Sequence, residues 1–213
     1  MYKVVIFDVD GTLFDTSMGI CNCINYVLEK NGESTLDDCT LKKFIGPPIY
    51  ESYMKICNKT YEDAMKYTEE YRENYISKYI NQSQPYSYME DVINEIKSRG
   101  IKVAIATLKT QIQVDVLLKN QGVENLFDLV VGVRKSGESK SDILKTIIQC
   151  FEIADGKQAV LVGDTYLDAK GANDVGIDFI GVTHGFGIKD YEDVKGLPCK
   201  FICDSLPEML LKL

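Results

Sequence analysis

A second histidine is missing from this chain. His184 stands alone among 213 residues, and no CxxC pair occurs among the cysteines at 21, 23, 39, 57, 150, 199 and 203. The ligand spacings of a structural zinc site are therefore absent. An odd number of thiols without paired spacing fits reduced cysteines and a cytoplasmic protein. Positive charge is scarce too, with 24 lysines and arginines against 32 aspartates and glutamates, a formal net charge of −8. Such a chain has no basic face for nucleic-acid phosphates, which excludes polymeric nucleic acid as a partner. Apolar runs fall well short of the ~20 residues of a membrane-spanning helix. No charged and then apolar leader precedes Val4, so neither membrane insertion nor secretion is expected. Internal repeats and low-complexity tracts are lacking, and no feature sets an oligomeric state.

What is present suits a folded chain, since 45% of the residues are hydrophobic and 26% charged. The length predicts one main core with an accessory subdomain. Residues 3–7, Lys-Val-Val-Ile-Phe, form a β-branched run that stops at Asp8-Val9-Asp10-Gly11, as a buried strand meeting a loop. From residue 88 onward helix-like and apolar segments alternate: 89–99, 101–106, 111–121, 129–133, 141–151 and 159–163, with shorter strands at 178–182 and 200–203. Alternation of this kind predicts right-handed βαβ units, hence an α/β fold with a three-layer, Rossmann-like parallel sheet. Residues 16–84 break the pattern, with helical spacing at Ile20, Ile24, Val27 and Leu28 before Asn31-Gly32. They read as a helical insertion, and the tyrosines at 61, 67, 71, 75 and 79 within it as packing residues.

Asp8 and Asp10, two apart at a strand end, project their carboxylates to one side, into the crevice beyond the strand. An isolated Asp-Gly makes only a turn. Here the run Asp8-Val9-Asp10-Gly11-Thr12-Leu13 resembles the DxDGT signature of the haloacid dehalogenase superfamily. Three further pieces follow in that family's order: Thr107 after Val-Ala-Ile-Ala, Lys140 opening a helix, and Gly163-Asp164-Thr165-Tyr166-Leu167-Asp168 after Ala-Val-Leu-Val. The likeness spans residues 1–183, and Gly46-Pro47-Pro48 resembles the cap segment of the phosphoglycolate-phosphatase-like branch. Two departures stand out. Thr107-Leu108-Lys109 has leucine where the family often has asparagine, and Glu138-Ser139-Lys140-Ser141 replaces a Lys-Pro stretch.

The resemblance implies an α/β core of residues 1–14 and 85–213, a helical cap of 15–84, and a phosphatase acting on a small phosphorylated metabolite. It implies Asp8 as nucleophile, with Mg2+ held by Asp8, Asp164 and the backbone carbonyl of Asp10. A cation of this kind is what a carboxylate needs before it can attack a phosphate dianion. Asp10 becomes the general acid and then the base. Thr12 and Thr107 offer hydroxyls to phosphoryl oxygens, and Lys140 supplies positive charge. Lys140 is preferred to Lys135 because it opens an apolar-periodic helix. Asp168, one turn after Asp164, either binds metal water and orients neighbours or simply caps its helix. His184 flanks the site in a loop without an assigned role. Tyr50 and Tyr53 are the cap positions expected to tune substrate choice. Two other readings stand beside hydrolysis: a phosphosugar mutase using the same phosphoaspartate, and a non-catalytic phosphoaspartate signalling domain.

Overall fold

Four consecutive fully buried residues form strand β1 (Val4–Phe7) in the computed structural model of the protein, which describes residues 2–213. Apolar side chains on both faces suit a strand covered on both sides. The chain makes a two-residue strand β2 (Phe14–Asp15) and turns helical: α1 (Ser17–Lys30), α2 (Asp38–Leu41), α3 (Ile49–Ile56) and α4 (Tyr61–Asn74), with a wide π-type turn over Tyr75–Tyr79. It returns through β3 (Gln84–Pro85), which pairs antiparallel with β2. Then come α5 (Met89–Ser98), β4 (Lys102–Thr110), α6 (Gln111–Gln121), β5 (Leu129–Val133) and α7 (Lys140–Cys150). β6 (Ala159–Gly163), α8 (Tyr166–Val175), β7 (Asp178–Val182), β8 (Phe201–Cys203) and α9 (Leu206–Leu210) complete the chain.

The six long strands form one parallel sheet in the order β5-β4-β1-β6-β7-β8. Pleating divides its side chains between two apolar layers. Val5, Phe7, Val103, Ile105 and Val160 join Val92, Ile93 and Ile96 of α5 and Val114 and Leu117 of α6. Val4, Ile6, Ala104 and Leu161 meet Ile143, Leu144 and Ile147 of α7 and Ala169 and Ala172 of α8 on the other face. The fold is therefore the three-layer α/β sandwich that the sequence predicts. Connections leave β1 toward β4 on one side, and the chain later returns to β6 on the other. That places the switch in strand order, where α/β sheets open a crevice, at the C-terminal end of β1.

Two elements differ from expectation. β4 runs to Thr110 rather than ending near 106, because its register with β5 breaks between Ala106 and Thr110 and the strand continues past the break. The pairing of β2 with β3 was not visible in sequence, since two-residue strands carry no periodicity. Among the tyrosines of 61–79, Tyr67, Tyr71 and Tyr75 are buried as packing predicts. Phe44, Tyr53 and Tyr67 meet edge to face at 5.2 and 5.3 Å, and Tyr71 stacks on Tyr75 at 5.3 Å. Such pairs are each worth about 0.5–1.5 kcal/mol beyond the burial of area. Tyr61 is exposed and takes no part in this stack.

Candidate active site

The sheet sets Asp8 in place. Its N–H still donates to the Val162 carbonyl at 2.9 Å, continuing the ladder one residue past β1. The chain then doubles back, with the N–H groups of Thr12, Leu13 and Phe14 converging on the Val9 carbonyl at 3.3, 3.1 and 3.0 Å. Gly11 makes this possible. It has φ +81°, and a Cβ there would lie 2.3 Å from Asp164 Oδ2. Both the backbone conformation and the close approach demand glycine.

Lys140 is the hub of the site. Ser139 caps α7 in a reciprocal capping box with Asp142, so Lys140 is the first helical residue and its side chain is aimed beneath the strand ends. Its ammonium donates to Asp8 Oδ1 at 2.6 Å and to the Ala106 carbonyl at 2.8 Å, and pairs with Asp168 Oδ1 at 2.7 Å. Two of these contacts are hydrogen bonds and the third is an ion pair. Burial alone would lower its pKa, but Asp168 and Asp8 outweigh burial and hold it above the ordinary value. Lys135, by contrast, is exposed on the loop before α7. Asp168 caps its helix and at the same time faces Lys140. Oδ2 accepts from Thr165 N–H at 3.1 Å and Thr165 Oγ1 at 2.6 Å, capping α8, while Oδ1 faces Lys140.

Asp164 lies beyond β6, fully buried. Thr12 Oγ1 donates to its Oδ1 at 3.1 Å and Phe186 N–H to its Oδ2 at 2.7 Å. The loop after β7 wraps it closely, since a Cβ on Gly185 would lie 2.3 Å from Oδ2. Burial, reinforced by the charge of Asp168, pushes its pKa up to about 7 despite those donors. Burial likewise raises Asp8, more than Lys140 lowers it. Asp8, Asp164 and Asp168 each place a carboxylate oxygen within 4.8 Å of the others. With all three acids ionised, one lysine leaves negative charge that the protein does not balance. Hard oxygen donors with excess negative charge fit a small divalent cation.

The Asp10 carboxylate stands outside that cluster. Its Oδ1 accepts from Thr16 Oγ1 at 2.5 Å and pairs with Lys109 Nζ at 2.9 Å. Thr12 is already engaged with Asp164, whereas the Thr107 hydroxyl accepts the Lys109 N–H at 3.2 Å and donates to no acceptor among the described residues. His184 flanks the turn: its Nε2 lies 3.1 Å from the Thr12 carbonyl and its ring packs on Tyr86 at 4.3 Å. Residues that sequence reasoning passed over are Thr16, Lys109 and the 185–188 loop. A signal existed for the last, in the paired glycines of Gly185-Phe186-Gly187. A cleft of about 530 Å³ opens over Asp10, Lys109 and Lys140, walled on the other side by residues of the helical insertion, including Tyr50, Met65, Tyr71 and Arg72. Tyr53 does not reach it, being fully buried between Phe44 and Tyr67.

Residues 5–182 match the family described as haloacid dehalogenase-like hydrolase. A tyrosine-protein kinase, PtkA, of Mycobacterium tuberculosis is 27% identical over 195 residues, covering 90% of this chain but 65% of the relative. This chain therefore spans about two thirds of that protein's length. A phosphoglycolate phosphatase of Aquifex aeolicus is 27% identical over 177 residues, with 82% and 81% of the two chains covered. The crystal structure of a predicted phosphatase from Clostridium acetobutylicum superposes with a TM-score of 0.91 at 30% identity, covering 100% of this chain and 98% of that one.

Proposed function

The chain belongs to the haloacid dehalogenase-like hydrolase family, and from that premise we propose that it is a magnesium-dependent phosphatase of a small phosphate monoester, working through an aspartyl phosphate on Asp8. The observation that carries this reading is the buried cluster of Asp8, Asp164 and Asp168, two of them paired with Lys140, which itself lines the cleft beside Asp10. Asp8, Asp164 and the Asp10 carbonyl would hold the magnesium ion, which when bound neutralises phosphoryl oxygens and lets two anions meet.

The chain's own residues account for the rest. Lys140 holds Asp8 Oδ1, which leaves Oδ2 to attack phosphorus. As the new P–O bond forms, the bond to the leaving oxygen breaks and that oxygen takes a proton from Asp10. Water then attacks the aspartyl phosphate and gives its proton back to Asp10, releasing phosphate and the free Asp8 carboxylate. Thr107 has an O–H free to donate to the phosphoryl group, and Lys140 spreads positive charge beneath it. Residues 15–84 serve as the cap, hinged where β2 pairs with β3, and exclude bulk water during transfer.

The volume of the cleft suits a metabolite and not a protein surface or a polynucleotide. A leaving group of the phosphoglycolate, nucleotide or sugar type fits it. Among the described residues no helix is long and apolar enough to cross a membrane, and the seven free cysteines accord with a reducing, cytoplasmic setting. The test is a panel of phosphorylated metabolites assayed with magnesium for released phosphate and for rearranged product. Phosphate release sensitive to chelator supports the proposal. Rearrangement without release would instead make the protein a mutase, and a stable phosphoprotein without turnover a signalling domain.

A further inference from the structure

Lys109 is a buried cation that the phosphoryl-transfer scheme above leaves without a task. Its side chain is 5% exposed, and its ammonium is 2.9 Å from Asp10 Oδ1. It reaches that point because β4 is irregular at its end: register with β5 is lost after Ala106 and regained at Thr110. Gly132 permits the bend, since a Cβ there would lie 2.8 Å from the Lys109 carbonyl. The other contacts of Lys109 come from the helical insertion. Its Nζ donates to Tyr75 Oη at 3.3 Å and lies 4.6 Å from the centre of that ring. Tyr75 is itself fixed, fully buried, stacked on Tyr71 and within 3.5 Å of Ser83 Oγ. It also begins the π-type turn that closes α4, a local irregularity of the kind that recurs at functional sites.

The geometry around Asp10 is one-sided. Thr16 Oγ1 and Lys109 Nζ both address Oδ1, and no protein donor addresses Oδ2 among the described residues. We propose that Lys109 is a positioning residue which, with Thr16, anchors Asp10 Oδ1 so that Oδ2 is the oxygen that exchanges the proton, and that Tyr75 makes this anchorage depend on the seated cap. Thr16 lies at the N-cap of α1 and Tyr75 just past α4, so the anchor draws on both ends of the helical insertion. Displacing the insertion takes Thr16 from Asp10 and Tyr75 from Lys109. Proton transfer is thereby confined to the closed state, in which water is excluded. This rests on the proposed phosphatase reading and on the role of Asp10 as general acid.

The leaving group supplies the test. An alkoxide must be protonated as it departs, whereas p-nitrophenolate departs without a proton, so a residue that acts through the general acid matters only to the first. The comparison is kcat/KM, which reports formation of the phosphoenzyme, for phosphoglycolate or another turned-over alkyl phosphate against p-nitrophenyl phosphate, with magnesium. For Lys109→Met the alkyl ester is expected to lose about 100-fold and the aryl ester less than about 5-fold, within the usual worth of general acid catalysis. Lys109→Arg, which keeps a charged donor, restores most of the ratio. Tyr75→Phe, a loss of one oxygen that spares the packing, is expected to lower the alkyl to aryl ratio about 3-fold. Equal losses on both esters at Lys109→Met, or no change in the ratio at Tyr75→Phe should the first variant not fold, would overturn the assignment. If the wild-type protein hydrolyses neither ester, the phosphatase reading has failed instead.

Discussion

The strand ends and the helical insertion hold their polar groups in opposite ways. At the strand ends every acid is tied down: Asp8 to Lys140, Asp164 to Thr12 and Phe186, Asp168 to Thr165 and Lys140, Asp10 to Thr16 and Lys109. Glycines at 11 and 185 let these groups crowd without side chains in between. On the opposite wall of the cleft, Arg72 makes no ion pair among the described residues, and the Tyr50 hydroxyl bonds only its sequence neighbour Glu51. Rigid groups suit a reaction whose geometry is the same for every substrate. Uncommitted groups suit the part of a substrate that varies from one metabolite to another.

Four expectations break or sharpen that contrast. The largest effect belongs to Asp8→Asn, which keeps the size of the side chain and removes the proposed nucleophile. Turnover of every substrate should fall by about three orders of magnitude or more, with the circular dichroism unchanged. Next is Lys140→Met, expected to lower kcat about 100-fold on all substrates and to cost about 3 kcal/mol in urea unfolding, because it strands buried carboxylates. Lys135→Ala, on the exposed loop, should leave both within error. If the order were reversed, Lys140 would not be the lysine of the site.

The third expectation concerns pH. The folded pKa of Asp164 near 7 exceeds its ordinary 3.8, so folding takes up a proton between those values. The stabilisation from that proton is complete below 3.8 and lost as pH rises through 7, about 4 kcal/mol at most. Metal-free protein should accordingly melt at a lower temperature at pH 8 than at pH 5.5. Carboxylates held low by partners, such as Asp128 and Glu70, lose their contribution only at more acidic pH. A divalent cation needs Asp164 ionised, so magnesium should raise the melting temperature more at pH 8 than at pH 5.5. Scanning fluorimetry with and without chelator measures both, and a larger gain at pH 5.5 would contradict the cation site. The smallest effect is expected from Arg72→Ala. It should change kcat/KM about 10-fold between substrates with and without a second anionic group, leaving p-nitrophenyl phosphate within about 2-fold. Uniform loss across the panel would mean that the insertion is part of the rigid machinery.

The same contrast explains what could be read from sequence. Asp8, Gly11 and Asp164 stand where an apolar run stops, so the sheet that positions them announces itself in the pattern of residues just before. Lys140 could be singled out because it opens an apolar-periodic helix, and the structure adds that Ser139 and Asp142 cap that helix start. Lys109 could not, because its place depends on a register break at the end of β4 and on Tyr75, which lies 34 residues earlier in another layer. Tyr53, taken as a candidate for the cleft, turned out to be the centre of an aromatic cluster. Helical periodicity identifies a buried tyrosine without saying which buried surface it meets.

The most direct test of the account is to trap the phosphoenzyme. The protein is mixed with magnesium and a turned-over phosphate ester, quenched in acid within a turnover, digested and mapped by mass spectrometry. The account predicts one phosphoryl group on the peptide bearing Asp8, labile to hydroxylamine and lost in Asp8→Asn. Phosphate release in which no peptide ever carries the group, or a group carried on another residue, would contradict it.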